Sequence, residues 1–449
     1  MDQFLQKIQA GGVIGAGGAG FPTYVKLESQ ADVVIANGAE CEPLLNKDQV
    51  LMQCSAPSLI GGMMLAMHQV GASRGVIGIK KKHADTIAVL RDAIPDNIEL
   101  LEMDDVYPAG DEAEMVYEAT GNRIPSGGLP KDIGVMINNV ESFINLFHAA
   151  QGIPVTDTMV TVHGEVKEPF TAWLPIGMSY SEVIALAGGI TCDDFVVVEG
   201  GPMMGSVTDD LSKPITKISS GLLVLPASSR VATIKNRSEA ALRRIGKSAC
   251  DQCSICTDMC PRNLLGYPIH PHLAMRSLQV SANDNSSLTQ AAQPCSECNL
   301  CTMWSCPEGL DPSQVCATTK RDLRENNLLM TPAQLQAKTK DVHPLRDYRK
   351  IPTKRLMQRL EVLQYSHRTA NLLEPMLNLE KVSIPLSQHI GAPALAVVKV
   401  GDIVSKGQLI GAAVDQALSV SVHASIDGTV TELSNIVVIE RTADLINNN

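Results

Sequence analysis

The spacing of apolar positions changes character along the chain, and each change marks a different kind of element. Phe4, Leu5 and Ile8 fall on one helical face, and Gly11-Gly12 ends that helix. A loop dense in glycine follows, Gly15-Ala16-Gly17-Gly18-Ala19-Gly20-Phe21-Pro22-Thr23. Asp32-Val33-Val34-Ile35-Ala36 reads as a buried strand, leading into Asn37-Gly38-Ala39-Glu40-Cys41-Glu42-Pro43. Helical spacing from Gln49 to His68, a strand from Val76 to Ile79 and a helix from Thr86 to Ile94 complete an alternation that predicts an α/β layer with parallel strands over residues 1–152.

Residues 153–235 change character. Val160 to Val166 and Phe195 to Glu199 predict strands, and Ser181 to Ala187 a short capped helix, which together make a small β-rich α+β module. Residues 236–335 are helical and hold most of the cysteines. Lys338 to Arg368 carries nine Lys/Arg against three acids, with Pro344 and Pro352, so 336–375 is expected to be a basic linker with a solvated face. Residues 376–449 are strand-like and punctuated by glycine, ending in an expected frayed tail at Asn447 to Asn449.

The composition is globular, 45% apolar and 19% charged. A net charge of −11 and 3% aromatics exclude a chain-wide nucleic-acid surface. The most apolar stretch, Leu59 to Ile79, is interrupted by His68, Gln69 and Arg74, so no membrane span is expected. Asp2 and the lack of a basic start before an apolar stretch predict no secretory signal. Eight of the twelve cysteines lie between Cys250 and Cys306. Such crowding predicts cytoplasmic thiolates holding metal rather than disulfides.

Cys250-x2-Cys253-x2-Cys256-x3-Cys260-Pro261 has the bacterial ferredoxin ligand spacing, and Cys295-x2-Cys298-x2-Cys301-x4-Cys306-Pro307 repeats it with one extra residue. Because the fourth cysteine of each run ligates the other cluster in two-cluster ferredoxins, one [4Fe–4S] cluster is assigned to Cys250, Cys253, Cys256 and Cys306. The other is assigned to Cys295, Cys298, Cys301 and Cys260. Paired zinc knuckles fit the third cysteine and the proline poorly. Cys41, Cys54, Cys192 and Cys316 are expected to be small buried hydrophobes. His270 and His272 are expected to be packed or exposed rather than ligands to a corrinoid cobalt.

A relay of clusters needs a donor. The Gly15–Gly20 loop can offer backbone N–H groups to a phosphate, with Lys26 as counter-charge. Asn37, Glu40 and Glu42 follow a strand, where α/β sheets bind ligands. Tyr107-Pro108-Ala109-Gly110-Asp111-Glu112 and Ile137-Asn138-Asn139-Val140-Glu141 add polar groups after later strands.

The set GAGGAGFPT, NGAECEP, YPAGDE, RIPSGGLP and NNVES resembles the RnfC family, itself similar to the flavin-bearing NADH-oxidising subunit of respiratory complex I. The resemblance continues through a β-grasp module of the soluble-ligand-binding (SLBB) type and the double ferredoxin motif. Ile384 to Pro393 resembles the barrel-sandwich domain that RnfC proteins carry at the other end of the chain. That order is similar to the cobalamin reductases of propanediol-utilisation microcompartments. The resemblance implies FMN on Gly15, Gly17, Gly18, Gly20, Lys26, Asn37, Glu40, Tyr107, Gly110, Asn138 and Asn139. It implies NADH near Phe21, with Glu42 and Glu112 in catalytic positions at the ribose or nicotinamide. It further implies cobalamin as acceptor, a corrinoid adenosyltransferase and microcompartment proteins as partners, and a place inside a microcompartment. Ala16 stands where the flavin-bearing protein of complex I has arginine, which predicts weaker FMN retention. The stretch Ala413 to Ala417, where lipoyl domains carry their modified lysine, has none, so no covalent prosthetic group is expected there.

Overall fold

The computed structural model describes residues 2–280 and 286–441 of the 449. The expected frayed tail lies outside the described residues. Strands β1 (Val33–Asn37), β2 (Arg74–Lys80), β3 (Ile98–Met103) and, after the short β4 (Val106–Tyr107), β5 (Val135–Asn139) form a parallel sheet in the order β3-β2-β1-β5. Strand periodicity sends alternate side chains to opposite cores. Val34, Ala36, Ile77 and Met136 enter one cluster, and Ile35, Val76, Val135 and Ile137 enter the other with Ala113, Met115 and Val116. This is the doubly covered layer that the apolar runs predict.

The expected helix from Gln49 to His68 is two helices, Lys47–Cys54 and Ala56–Val70, bent by 92°. Pro57, in the first turn of the second, lacks the N–H that would continue the first. Helix Ala56–Val70 lies against helix Val140–Ala150 so closely that a Cβ on Gly62 would sit 1.9 Å from the Phe143 carbonyl. No single described helix is long and apolar enough to cross a membrane.

β6 (Asp157–Gly164), β7 (Phe170–Pro175), β8 (Phe195–Glu199), β9 (Ser206–Thr208) and β10 (Gly221–Pro226) build the second module, with β10 parallel to β6 at its centre. Its helix begins at Tyr180, capped reciprocally by Ser179 and Glu182.

The basic segment is not a free linker. Arg346 reaches Glu114 and, at 2.7 Å, Glu118, and its guanidinium lies 4.8 Å over the Tyr117 ring. β11 (Ile351–Pro352) pairs with β4, and Leu356 and Leu360 are fully buried. β12 (Asn371–Leu372) then adds a parallel edge strand to β7. Several of its cations meet acids and carbonyls of the other domains, so the segment is a strap across them rather than a solvated face.

The last module packs the strands Lys381–Pro385, Ile403–Val404, Gly428–Leu433 and Ile436–Glu440 against those at Leu395–Ala396, Leu409–Ala412 and Val422–His423. It shares one core with the flavin-type layer. Lys217 of the second module locks the three together, its Nζ donating to the carbonyls of Gly12 at 2.8 Å and Ser421 at 2.9 Å.

Candidate functional site

The glycine loop is closed at its base by the Gly15 N–H donating to the Phe21 carbonyl at 2.8 Å. Its back is filled. The Ala16 N–H donates to Ser142 Oγ at 2.9 Å, and the Lys47 ammonium donates to the Ala16 carbonyl at 3.2 Å. Lys47 also pairs with Glu141 at 2.6 Å, both side chains being almost wholly buried. The front is open. A Cβ on Gly18 (φ 72°) would meet nothing within 4 Å, and one on Gly17 only Asn139 Nδ2 at 3.9 Å.

Behind the loop lie the polar groups at the ends of β1 and β5. Asn139 Nδ2 donates to both oxygens of Asp48 at 2.9 and 3.0 Å. The Glu40 carboxylate accepts from the Asp48 N–H at 2.7 Å, at the start of helix Lys47–Cys54. Burial, reinforced by Asp48, raises the Glu40 carboxyl to about 8, and burial raises Asp48 to about 6. Asn37 Nδ2 donates to the Gly110 carbonyl at 2.8 Å. Asn138 is 3% exposed, yet neither its side-chain N nor its O has a partner. A buried amide left unpaired costs about 1–3 kcal/mol, so this one calls for a polar ligand. An open glycine front, an unpaired buried amide and polar groups at the strand ends fit a flavin phosphate and ring.

Phe21, Lys26 and Glu112 line one groove with Leu129, Pro130 and Lys131, running along Val135 to Ile137 of β5, the sheet's edge strand. Lys26 Nζ donates to the Ile137 carbonyl at 2.8 Å. Burial lowers its pKa, and Glu112 opposes that shift.

Two of the predicted residues face elsewhere. Glu42 turns into the second module, where its two oxygens accept from the Met203 and Met204 N–H groups at 2.8 and 2.7 Å. Both oxygens are engaged in an inter-module clamp, and Glu42 does not line the groove of Phe21, Lys26 and Glu112. Tyr107 is buried, and its hydroxyl donates to the Cys298 carbonyl at 2.5 Å, so its hydroxyl serves the contact with the cysteine domain rather than a flavin. Glu42→Gln turns an amide N–H toward a backbone N–H. It is expected to cost about 1–3 kcal/mol, read as a lower urea midpoint, with NADH oxidation per folded molecule unchanged.

One of the two sets assigned from spacing lies around a common cavity. Cys250, Cys253, Cys256 and Cys306 line one cavity. Burial raises the Cys256 thiol to about 12, with Cys306, Cys250 and Cys253 adding to the shift. Cys301 is raised by burial and then by Cys295, Cys298, Cys260 and Cys256. Buried side by side, these groups resist ionising together, and the charge of a metal cluster is what would hold them as thiolates. Protein prepared without oxygen is expected to hold about eight irons, and Cys253→Ala about half as many; an iron assay checks both.

Sequence reasoning quoted Glu141 and Ser142 inside the NNVES motif without giving either a role, and it missed Lys47, four residues beyond NGAECEP. It also missed Cys316, whose hydrogen bond to Cys295 is the largest influence lowering the Cys295 thiol. Cys316 is fully buried as expected, but Cys54 is exposed, and Cys41 accepts the Gly110 N–H at 2.6 Å. His272 is tied to Thr257 at 2.7 Å.

Residues 8–148 match the Nuo51 FMN-binding domain, 159–207 the SLBB domain, 249–311 the 4Fe-4S dicluster domain and 364–446 the RnfC barrel sandwich hybrid domain. The chain is 42% identical over 438 residues to the cobalamin reductase PduS of Salmonella typhimurium, covering 96% of this chain and 95% of that one. It is 41% identical over 430 residues to the PduS of Citrobacter freundii, covering 96% and 94%. One component of the Na(+)-translocating ferredoxin:NAD(+) oxidoreductase complex of Acetobacterium woodii is 34% identical over 272 residues, covering 59% of this chain and 58% of that one.

Proposed function

The chain belongs to the PduS cobalamin reductase family, and from that premise we propose that it oxidises NADH and passes the electrons singly to the cobalt of cobalamin. The observation that supports this most is the union, in one chain, of an FMN-binding domain and a dicluster domain joined by the Tyr107–Cys298 hydrogen bond. A flavin accepts two electrons and releases them one at a time, which is the conversion a cobalt acceptor needs. NADH gives up two electrons and a proton, so one NADH reduces two cob(III)alamin to two cob(II)alamin.

The protein's part is binding and insulation. The Gly17–Gly18 front takes the phosphate, Asn138 and Asn139 the flavin's polar edge, and the groove of Phe21, Lys26 and Glu112 the dinucleotide. A corrinoid adenosyltransferase is the proposed partner for the further step to cob(I)alamin, whose low potential calls for a protein that binds the corrinoid and raises it. A microcompartment is the proposed location. A second reading, transfer to ferredoxin, draws on the relative from the Na(+)-translocating complex.

The test supplies NADH without oxygen to the iron- and FMN-loaded protein, with cob(III)alamin in one cuvette and oxidised ferredoxin in another. The cob(II)alamin spectrum is expected in the first. Rapid ferredoxin reduction with unchanged cobalamin would replace this reading with the second.

A further inference from the structure

We infer that electrons cross from the flavin domain into the cysteine domain at Tyr107 and Cys298, so that the set Cys260, Cys295, Cys298 and Cys301 receives them first. The set Cys250, Cys253, Cys256 and Cys306 then receives them last and hands them to the acceptor. The inference rests on the function proposed above and adds a direction to it.

The direction comes from where the flavin domain touches the cysteine loops. Asn37, at the end of β1, donates to the Gly110 carbonyl at 2.8 Å. Gly110 ends the turn that begins at Tyr107, and the Tyr107 hydroxyl donates to the carbonyl of Cys298 itself at 2.5 Å. The next residue of that turn, Asp111, pairs at 3.0 Å with Arg262, two positions after Cys260. Cys41, in the loop after β1, accepts the Gly110 N–H at 2.6 Å and belongs with Cys260 and Cys295 to one apolar cluster that includes Ile35 and Ala39. A ligand from each run of the second set is thus tethered to the end of the flavin sheet.

The first set is held differently. Cys253 is exposed, as are Asp251 and Ile255 beside it. The contacts around Cys250 and Cys256 come from the cysteine domain: Gln279 donates to the Cys250 carbonyl, and Thr257 bonds His272. Electron transfer falls steeply with distance, so the set bonded to the flavin domain is the point of arrival. The other set, which reaches the surface through Cys253, is the point of departure. Each crossing would carry one electron, so the two electrons that NADH supplies would need two crossings.

One-cluster variants test the direction. Cys253→Ala and Cys298→Ala are each expected to keep about half the iron of the parent, and dithionite is expected to reduce the remaining cluster in both. In the presence of excess NADH, freeze-quench EPR is expected to show a reduced cluster in Cys253→Ala and none in Cys298→Ala. The reverse pattern, or equal signals, would overturn the inference. Failure of the ligand assignment shows separately, as iron that does not fall by about half in either variant. Tyr107→Phe keeps all eight cysteines. It is expected to retain full iron and a normal dithionite-reduced spectrum while NADH fills the clusters more slowly. If Cys298→Ala loses all its iron, Tyr107→Phe decides, and filling at the parent's rate would overturn the role given to Tyr107.

Discussion

Lys47→Met is expected to strip the protein of flavin and to lower its stability by about 3–5 kcal/mol. The ammonium is almost wholly buried, pairs with Glu141 at 2.6 Å, and donates to the Ala16 carbonyl inside the glycine loop. Removing it leaves the Glu141 charge unpaired in the core, and that uncompensated charge is the source of the cost. The double variant Lys47→Met, Glu141→Leu separates two roles. Replacing a whole buried pair by apolar groups is often near neutral, so the urea midpoint is expected to recover. Flavin content is expected to stay low, because the Ala16 carbonyl still lacks its donor. Bound flavin is read from visible absorbance after gel filtration. Full flavin in the double variant would show that Lys47 serves stability alone.

Arg346→Ala is the second large effect. The guanidinium is 6% exposed and is the charged partner of Glu114, which is itself buried. Its loss is expected to cost about 3–5 kcal/mol and to free the strap from the flavin domain. The pH dependence has a definite sign. Burial raises the Glu114 carboxyl from 4.5 to about 7 even with Arg346 beside it. A carboxyl with a raised folded value keeps its contribution below the unfolded value and loses it as pH rises through the folded one. Removing the arginine raises the folded value further. The deficit of Arg346→Ala is therefore expected to be small at pH 5 and largest at pH 8, measured as the difference in urea midpoints from the parent. A deficit independent of pH would place the effect in lost packing on Tyr117 instead.

What the sequence reveals depends on whether a function constrains spacing or direction. The cysteine runs are legible because a cubane needs thiolates at fixed intervals, and Cys250, Cys253, Cys256 and Cys306, from both runs, line one cavity. The alternation of strands and helices is legible because each face of β1 must be apolar. Glu42 and Tyr107 escape a sequence reading because a polar group after a strand gives no hint of which neighbour it turns toward. Here the neighbours are Met203 and Met204 in one case and Cys298 in the other. The strap reads as a linker because its charges are matched by Glu114 and Glu118, far away in sequence. Ala16 signals a missing arginine in the loop, whereas the cation behind the loop comes from Lys47, and its partner from a different helix.

The central claim is that two-electron oxidation of NADH is converted here into one-electron reduction of cobalt. The most direct measurement is a stoichiometric titration without oxygen, adding NADH in small steps to the loaded protein with excess cob(III)alamin and recording NADH consumed against cob(II)alamin formed. Two cob(II)alamin are expected for each NADH, with yield abolished in Cys298→Ala. NADH consumption with no cob(II)alamin, or an unchanged yield in Cys298→Ala, would contradict it.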